Sequence, residues 1–269
     1  MHAGVLSDLG WSSAGEKDSV IYFRQLGFFT IAKCQRPTHI DLNWLKSFRR
    51  SHRTLTTYIE PGFMQDDIHI PGIYTEPFAH SCTSLIDLVQ PESALLSSFS
   101  QKTRYNITRN LKHNALNLLT YSLDKIPSQH QDAFHTLHTT WSKQKNVIGY
   151  SKELLNATIK NYAQSGTLHL AYHNQSLVGS LLILYFDGVA TYWAAFATPL
   201  GYSLFAPTLL TWHALQKAKA NGCDIFDFGG IYDPRYPKMY KKWQGFTKFK
   251  EGFRPEVISY PKTTLQLGW

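Results

Sequence analysis

Cysteine is scarce in this sequence, with three residues in a chain of 269. The three stand far apart and none belongs to a Cys-x-x-Cys pair, so the pattern indicates neither a disulfide framework nor a zinc site. A chain of this kind is typical of a reducing compartment. We therefore expect a cytoplasmic protein without a metal. The three residues are Cys34, Cys82 and Cys223.

Long apolar runs are also missing. The longest, Leu177–Phe186, is interrupted by Gly179 and Ser180 and is far shorter than the about 20 residues that span a bilayer. The N-terminal segment lacks the basic start and apolar stretch of a signal peptide. The sequence thus predicts a protein that touches a membrane at most and does not cross it.

Charged residues make up 17% of the chain and hydrophobic residues 43%, which excludes an intrinsically disordered protein. A chain of this length can bury about 70–75% of its unfolded surface, in one large domain or two small ones. Its 27 lysines and arginines exceed its 19 acidic residues, for a net charge of +8. That balance favours an anionic partner: nucleic acid, a diphosphate carrier or an acidic membrane surface.

Two segments of the sequence carry basic residues and no acid, namely Ser93–Leu123 and Pro234–Lys250. The second also interleaves aromatic residues with its lysines. Basic side chains bind phosphates and aromatic rings stack on bases, so we interpret both segments as a surface for a polyanion. A solvated helix face would have the same pattern. The candidate phosphate-binding residues are Arg104, Arg109, Lys241, Lys242 and Lys248.

Hydrophobic patterning predicts three successive strands, Thr167–His173, Ser176–Phe186 and Val189–Ala197, the last two joined by a two-residue Asp-Gly turn. A long helix, Leu204–Asn221, and a short strand, Ile225–Gly230, follow. The predicted order is two helices followed by three strands, a helix and a strand. This is the order of the acyl-CoA N-acyltransferase (GNAT-like) fold. The predicted fold class is therefore α/β, with a mixed sheet and helices on both of its faces.

Four segments, in order, resemble a known family. They are KTRYNITRNLK (Lys102–Lys112), the strand–loop–helix stretch Gly188–Leu215, GCDIFDFGGI (Gly222–Ile231) and the closing stretch Trp243–Thr263. Together they are similar to the FemABX-type peptidoglycan bridge-forming aminoacyltransferases, which include lipid II:glycine glycyltransferases. The resemblance extends from about Val20 to the C-terminus.

This resemblance implies two GNAT-like subdomains: a reduced N-terminal one, residues 1–96 completed by 252–269, and a catalytic one, residues 97–251. It also implies transfer of an amino acid from aminoacyl-tRNA to the stem-peptide amine of a peptidoglycan precursor. The charged tRNA is then a co-substrate and no further cofactor is expected. The precursor is nucleotide-linked or lipid-linked. We expect a monomer in the cytoplasm that contacts the inner face of the membrane peripherally.

The same resemblance implies catalytic residues. Phe249 and Lys250 match the Phe-Lys pair that the family places at the tRNA acceptor end and the reacting carbonyl. An oxyanion partner there is commonly worth about 3–4 kcal/mol. The aromatic neighbours of Lys250 predict an apolar setting, in which a lone ammonium is costly unless it is used.

Two further candidates follow from the predicted strands. Tyr192 lies on the strand after the hairpin, where it binds the precursor or is an ordinary core tyrosine. Asp227 ends a strand beside a diglycine and either accepts a proton or holds the incoming amine, or is a structural turn residue.

The stretch after the predicted helix at 128–142 departs from the family pattern. Where polar precursor-binding residues are expected, this sequence has Gln144, Ile148 and Leu154. We expect the precursor to be bound instead by Lys143, Tyr150 and Lys145.

Two other functions stay open at this point. One is a CoA-dependent N-acyltransferase on the same fold, although the loop Ala197–Pro207 has a single glycine where a diphosphate cradle is usually glycine-rich. The other is a non-catalytic RNA-binding module.

Overall fold

A computed structural model describes residues 3–15, 19–37, 39–62 and 70–268. The helices are α1 Ala3–Asp8, α2 Leu42–Ser51, α3 Glu92–Ser98, α4 Gln101–His113, α5 Ser128–Lys145, α6 Lys152–Asn161, α7 Pro199–Ser203, α8 Ala206–Ala220 and α9 Gln244–Glu251. The strands are β1 Ser12–Ala14, β2 Ile21–Leu26, β3 Phe29–Gln35, β4 Thr54–Glu60, β5 Ile73–Thr75, β6 Cys82–Asp87, β7 Asn117–Ser122, β8 Gly166–His173, β9 Ser176–Phe186, β10 Val189–Ala197, β11 Ile225–Asp227, β12 Glu256–Ser259 and β13 Thr263–Leu267.

The chain forms two compact units. The first unit comprises residues 1–83, 230–244 and 257–269, and the second comprises 84–229 and 245–256. The subdomains implied by the resemblance, 1–96 with 252–269 and 97–251, have different bounds. The subdomain bounds implied by the resemblance therefore stay a prediction.

The first unit is built on a six-stranded sheet of order β1-β2-β3-β4-β13-β5. Helix α2 begins where Asp41 accepts hydrogen bonds from the backbone N–H groups of Asn43 and Trp44, a side-chain N-cap. Its apolar stripe, Leu45 and Phe48, is buried in one core with strand residues of this sheet.

The second unit is built on a mixed sheet in which the strands follow one another in the order β6-β11-β10-β9-β8-β7. Strand β9 lies inside this sheet and is buried over most of its length, as its near-continuous apolar run predicts. Leu181 packs on one face in a core with α4 and α8, whereas Leu182 packs on the other with α5 and α6. The predicted mixed sheet with helices on both faces is therefore confirmed.

The predicted bounds of β9 and β10 agree with the structure, but those of the following helix do not. Instead of one helix from Leu204, the chain forms the short α7, capped by the side chain of Thr198, and then α8. Phe205 separates them in the left-handed conformation at φ 56°. Pro207 then occupies the first turn of α8, where its missing N–H costs nothing.

Candidate active site

The candidate site lies in the second unit, where strands β10 and β11 stop pairing. Their parallel ladder runs from Val189–Ile225 to Thr191–Asp227 and ends there. On its other side, β10 shifts register against β9 directly after Tyr192. Both Tyr192 and Asp227 therefore stand at the point where the sheet opens.

A tight turn fixes the Asp227 carboxylate. Its Oδ1 accepts a hydrogen bond from the backbone N–H of Gly229 at 2.7 Å. Gly229 has φ 67°, a conformation that glycine adopts without strain. The turn therefore holds the carboxylate in one orientation at the strand end.

Lys250 is buried in this region, with 6% of its surface exposed. Its Nζ lies 5.6 Å from the ring centre of Tyr192 and 4.9 Å from that of Phe246. Burial lowers the pKa of Lys250 from 10.5 to about 7, and the negative charge of Asp227 acts in the opposite direction. The apolar setting predicted for this lysine is thus observed, and near neutral pH it exists in both protonation states.

Helix α9 holds Lys250 in place through the residues that follow it. The Phe253 side chain is fully buried, and the Gly252 carbonyl accepts a hydrogen bond from the Ser100 N–H at 2.9 Å. A Cβ on Gly252 would lie 2.6 Å from the Thr103 hydroxyl oxygen, so the chain needs glycine here to approach α4. This close approach sets the register of α9 and aims Lys250 inward.

The structure separates the roles of the aromatic residues around Lys250. Phe249 is half-buried, and its ring meets Phe253 edge-to-face at 5.5 Å in the core. Phe246, by contrast, is 38% exposed and is the phenylalanine beside the lysine Nζ. Phe246 is not among the site residues predicted from the sequence, although its spacing of four from Lys250 on a helix indicates that the two side chains are neighbours.

The structure brings Lys143 and Tyr150 together at a shallow pocket of about 310 Å³ in the second unit. The Tyr150 ring stacks on Trp193 with centres 4.8 Å apart and planes 17° apart. Burial also raises the pKa of Tyr150, so its hydroxyl stays protonated at neutral pH. Lys145 points its Nζ at the ring of Tyr202, 5.0 Å from the centre.

A histidine that no sequence pattern indicated holds this pocket together. His138 is buried on α5, and its Nε2 accepts the backbone N–H of Tyr150 at 3.1 Å. Burial lowers the pKa of His138, which favours the neutral ring that this acceptor role requires. A Cβ on Gly149 would lie 2.5 Å from the same Nε2 and 2.3 Å from the Ser142 hydroxyl oxygen. Only glycine therefore lets the loop close on the ring.

The candidate phosphate-binding residues differ in what they contact. The Arg104 guanidinium donates to the carbonyl oxygens of Ser97 and Phe99 and thereby closes the end of α3. Arg109 is exposed and lies 5.9 Å from the ring centre of Phe205. Lys241 and Lys242 are exposed in the first unit, and Lys248 is exposed in the second.

Within the described ranges, His, Cys, Asp and Glu do not gather in groups of three or more that could hold a metal ion. Over the same ranges, no helix combines the length and apolar character needed to cross a bilayer.

A mixed sheet that opens between two parallel strands is typical of the GNAT fold. The profile of the acetyltransferase (GNAT) domain family matches residues 101–242, just over half of the chain. The chain belongs to this family. A search of curated proteins finds no sequence relative.

Solved structures extend this likeness to the whole chain. A crystal structure of FemX superposes with a TM-score of 0.77 at 11% identity, covering 98% of this chain and 90% of the other. The C-terminal domain of a putative lysylphosphatidylglycerol synthetase from Agrobacterium fabrum gives a TM-score of 0.67 at 15% identity, covering 98% and 87%. L-PGS from Bacillus licheniformis gives 0.63 at 14%, covering 98% and 87%. The resemblance to FemABX-type proteins is thus confirmed at the level of the fold.

Proposed function

We propose that this protein transfers an amino acid from aminoacyl-tRNA to the stem-peptide amine of a peptidoglycan precursor. The observation that carries the proposal is the buried Lys250, held between Tyr192 and Phe246 beside the charge of Asp227. Keeping an ammonium group in such a place is unfavourable for folding, so a function that needs the positive charge explains its presence.

In this reaction the neutral amine attacks the ester carbonyl carbon of the aminoacyl-tRNA. A C–N bond forms while the carbonyl oxygen becomes an oxyanion, which the Lys250 ammonium stabilises. The C–O bond to the terminal ribose then breaks, and the proton lost by the amine ends on the ribose oxygen. Asp227, held by the Gly229 N–H, orients the incoming amine by accepting a hydrogen bond from it.

The pocket at Lys143 and Tyr150 suits the acceptor. A lysine at its rim can bind a phosphate or carboxylate of the precursor. The Tyr150 hydroxyl donates to the Trp193 carbonyl at 3.5 Å and can accept a hydrogen bond from a peptide N–H of the precursor. Phe246 suits the donor, because a half-exposed ring beside the reacting group can stack on the terminal adenine of the tRNA.

The loop after β10 favours this donor over a CoA thioester. Its one glycine, Gly201, packs so closely on β9 that a Cβ would lie 2.0 Å from the Val178 carbonyl oxygen. The Thr198 side chain already accepts the Gly201 N–H at 3.0 Å, and the Thr198 carbonyl accepts the N–H of Tyr202. Two N–H groups of the segment where a diphosphate would be cradled are therefore already bonded within the loop.

The direct test measures transfer of a radiolabelled amino acid from charged tRNA to a stem-peptide precursor. Lys250→Ala should lower the single-turnover rate about 10²–10³-fold, and Lys250→Arg should restore it in part. Lys125→Ala, at an exposed lysine of the same unit, is the matched control and should keep the wild-type rate. Transfer from acetyl-CoA but not from charged tRNA would instead identify a CoA-dependent enzyme. Binding of tRNA without transfer from either donor would identify an RNA-binding module.

A pH profile distinguishes the oxyanion role from that of a base. The ratio of wild-type to Lys250→Arg rates cancels the titration of the acceptor amine. If the ammonium form of Lys250 acts, this ratio should fall about tenfold per pH unit above pH 7, because arginine stays charged. A ratio that rises up to pH 7 and then levels would assign Lys250 as a base.

A further inference from the structure

One end of the six-stranded sheet in the first unit exposes a cluster of large apolar side chains. Strand register places them together: Leu26 faces Phe29 across the β2–β3 hairpin, and the Gly268 N–H at the end of β13 donates to the Leu55 carbonyl on β4 at 3.0 Å. We call this cluster the apolar tip. Its members are Leu26, Phe28, Phe29, Leu55 and Leu267, all exposed.

The hairpin turn projects the most exposed ring of the tip. Gly27 and Phe28 form a two-residue turn with Gly27 at φ 62°, the kind of tight connection that keeps paired strands rigid to their ends. Phe28 is 82% exposed, so nearly its whole ring faces water. Apolar side chains in such a contiguous group mark an interaction surface rather than scattered surface residues.

Basic residues flank the apolar tip. Between Asp41 and Glu60 the sequence contains no acid. The Thr30 N–H next to Phe29 donates to the Arg53 carbonyl at 3.2 Å, which places Arg53 beside the tip. Helix α2 and the turn after it supply the exposed members of this basic collar: Lys46, Arg50, His52 and Arg53.

Arg49 anchors the collar to the tip. Its guanidinium donates to the Gln266 side chain at 2.9 Å and to the Leu267 carbonyl at 3.0 Å. The C-terminal end of α2 is therefore fixed against the end of β13, and the exposed Arg50 follows directly. The apolar tip and the basic collar thus share one end of the sheet.

We propose that the apolar tip and basic collar form a docking face for an anionic lipid bilayer. Side chains of this length enter the boundary between headgroups and acyl chains, while arginine and lysine bind lipid phosphates at the headgroup level. RNA would use the cations but leaves the aliphatic Leu26, Leu55 and Leu267 without a partner, so the bilayer fits the whole surface. The proposal uses none of the transfer-site residues and stands independently of the proposed function.

The test is flotation of the full chain with vesicles of phosphatidylcholine alone or mixed with phosphatidylglycerol. Wild-type protein should bind the anionic vesicles, more weakly as salt rises. Phe28→Ser should lower the vesicle partition coefficient about tenfold or more, and Arg50→Ala with Arg53→Ala should lower it about fivefold per charge. Phe186→Ser is the matched control, since this ring is 70% exposed on another hairpin, and it should bind as wild type does.

Because the altered side chains are exposed, each variant should keep the wild-type circular dichroism and melting temperature. Equal binding by wild type and Phe28→Ser would overturn the proposal, as would absence of binding to anionic vesicles. A tRNA mobility shift that the two arginine changes abolish, with vesicle binding unaltered, would assign the collar to RNA instead. A wild-type dimer in sedimentation that Phe28→Ser dissociates, without vesicle binding, would assign the tip to self-association.

Discussion

Replacing Lys250 by methionine should make the protein more stable and less active at the same time. The pKa of Lys250 falls from 10.5 to about 7 in the fold. This lowering of the pKa corresponds to about 5 kcal/mol of difference between the charged and neutral forms. At pH 7 the unfolded lysine is charged, so most of this free energy opposes folding. Methionine fills a similar volume without a charge, and we expect Lys250→Met to raise the free energy of unfolding by about 2–4 kcal/mol.

Chemical denaturation at several pH values measures this difference. Between the folded pKa near 7 and the unfolded value of 10.5, the unfolded state binds the extra proton, so wild-type stability should rise by about 1.4 kcal/mol per pH unit. The advantage of Lys250→Met should therefore shrink as the pH rises from 7 to about 10. Its transfer rate should fall about 10²–10³-fold. A methionine variant that is less stable than wild type at pH 7 would refute the reasoning, because Lys250 would then stabilise the fold.

Three further changes test other parts of the structure. Gly149→Ala should destabilise the protein by about 1–3 kcal/mol and raise the apparent KM for the acceptor, because the new Cβ displaces the loop from His138. Gly245→Ala is the control, since a Cβ there meets no atom within 4 Å. Equal melting temperatures for the two variants would contradict the prediction. His169 is fully buried with a pKa lowered to about 3 by burial and by nearby cations, so its contribution to stability is present above pH 6.5 and is lost by about 1.4 kcal/mol per unit as the pH falls toward 3. Denaturation of His169→Gln between pH 7 and about 4 should show a smaller loss than wild type, and an equal slope would contradict this assignment. Replacing Lys241, Lys242 and Lys248 by alanine should flatten the salt dependence of tRNA binding in filter assays. The slope of log K against log salt concentration should change by up to about 0.9 for each phosphate that the variant no longer binds. An unchanged slope would mean that these lysines form only a solvated face.

The sequence predicted those parts of the fold whose signal is local. Strands β9 and β10 are apolar runs joined by Asp187-Gly188, and both residues of that turn adopt positive φ. The start of α8 was missed because Phe205 adopts the left-handed conformation, which a phenylalanine rarely does and no local pattern announces. In such a place the packing of the whole unit decides the backbone.

Only some features of the candidate site could likewise be predicted from the sequence. Aromatic neighbours in the sequence indicated that Lys250 would be buried. The predicted strand Ile225–Gly230 is too long, because β11 ends at Asp227, where the turn to Gly229 begins. The hydrogen bond between His138 and the Tyr150 backbone was beyond prediction, since it forms only when a loop folds back on α5. Phe246 and Phe249 look alike in sequence, and only the packing of α9 decides which ring is exposed.

The position of β13 between β4 and β5 has a consequence for biosynthesis. Strand β3 pairs with one edge of β4, whereas residues 263–267 pair with its other edge and, among the described residues, are the strand partner of β5. During translation the contiguous stretch 84–229 is complete long before that segment leaves the ribosome. Until then β4 presents an open edge to its surroundings, of the kind that other chains can join. A premature stop before codon 263 would therefore favour aggregation of the nascent product even where the acyltransferase sheet has already formed.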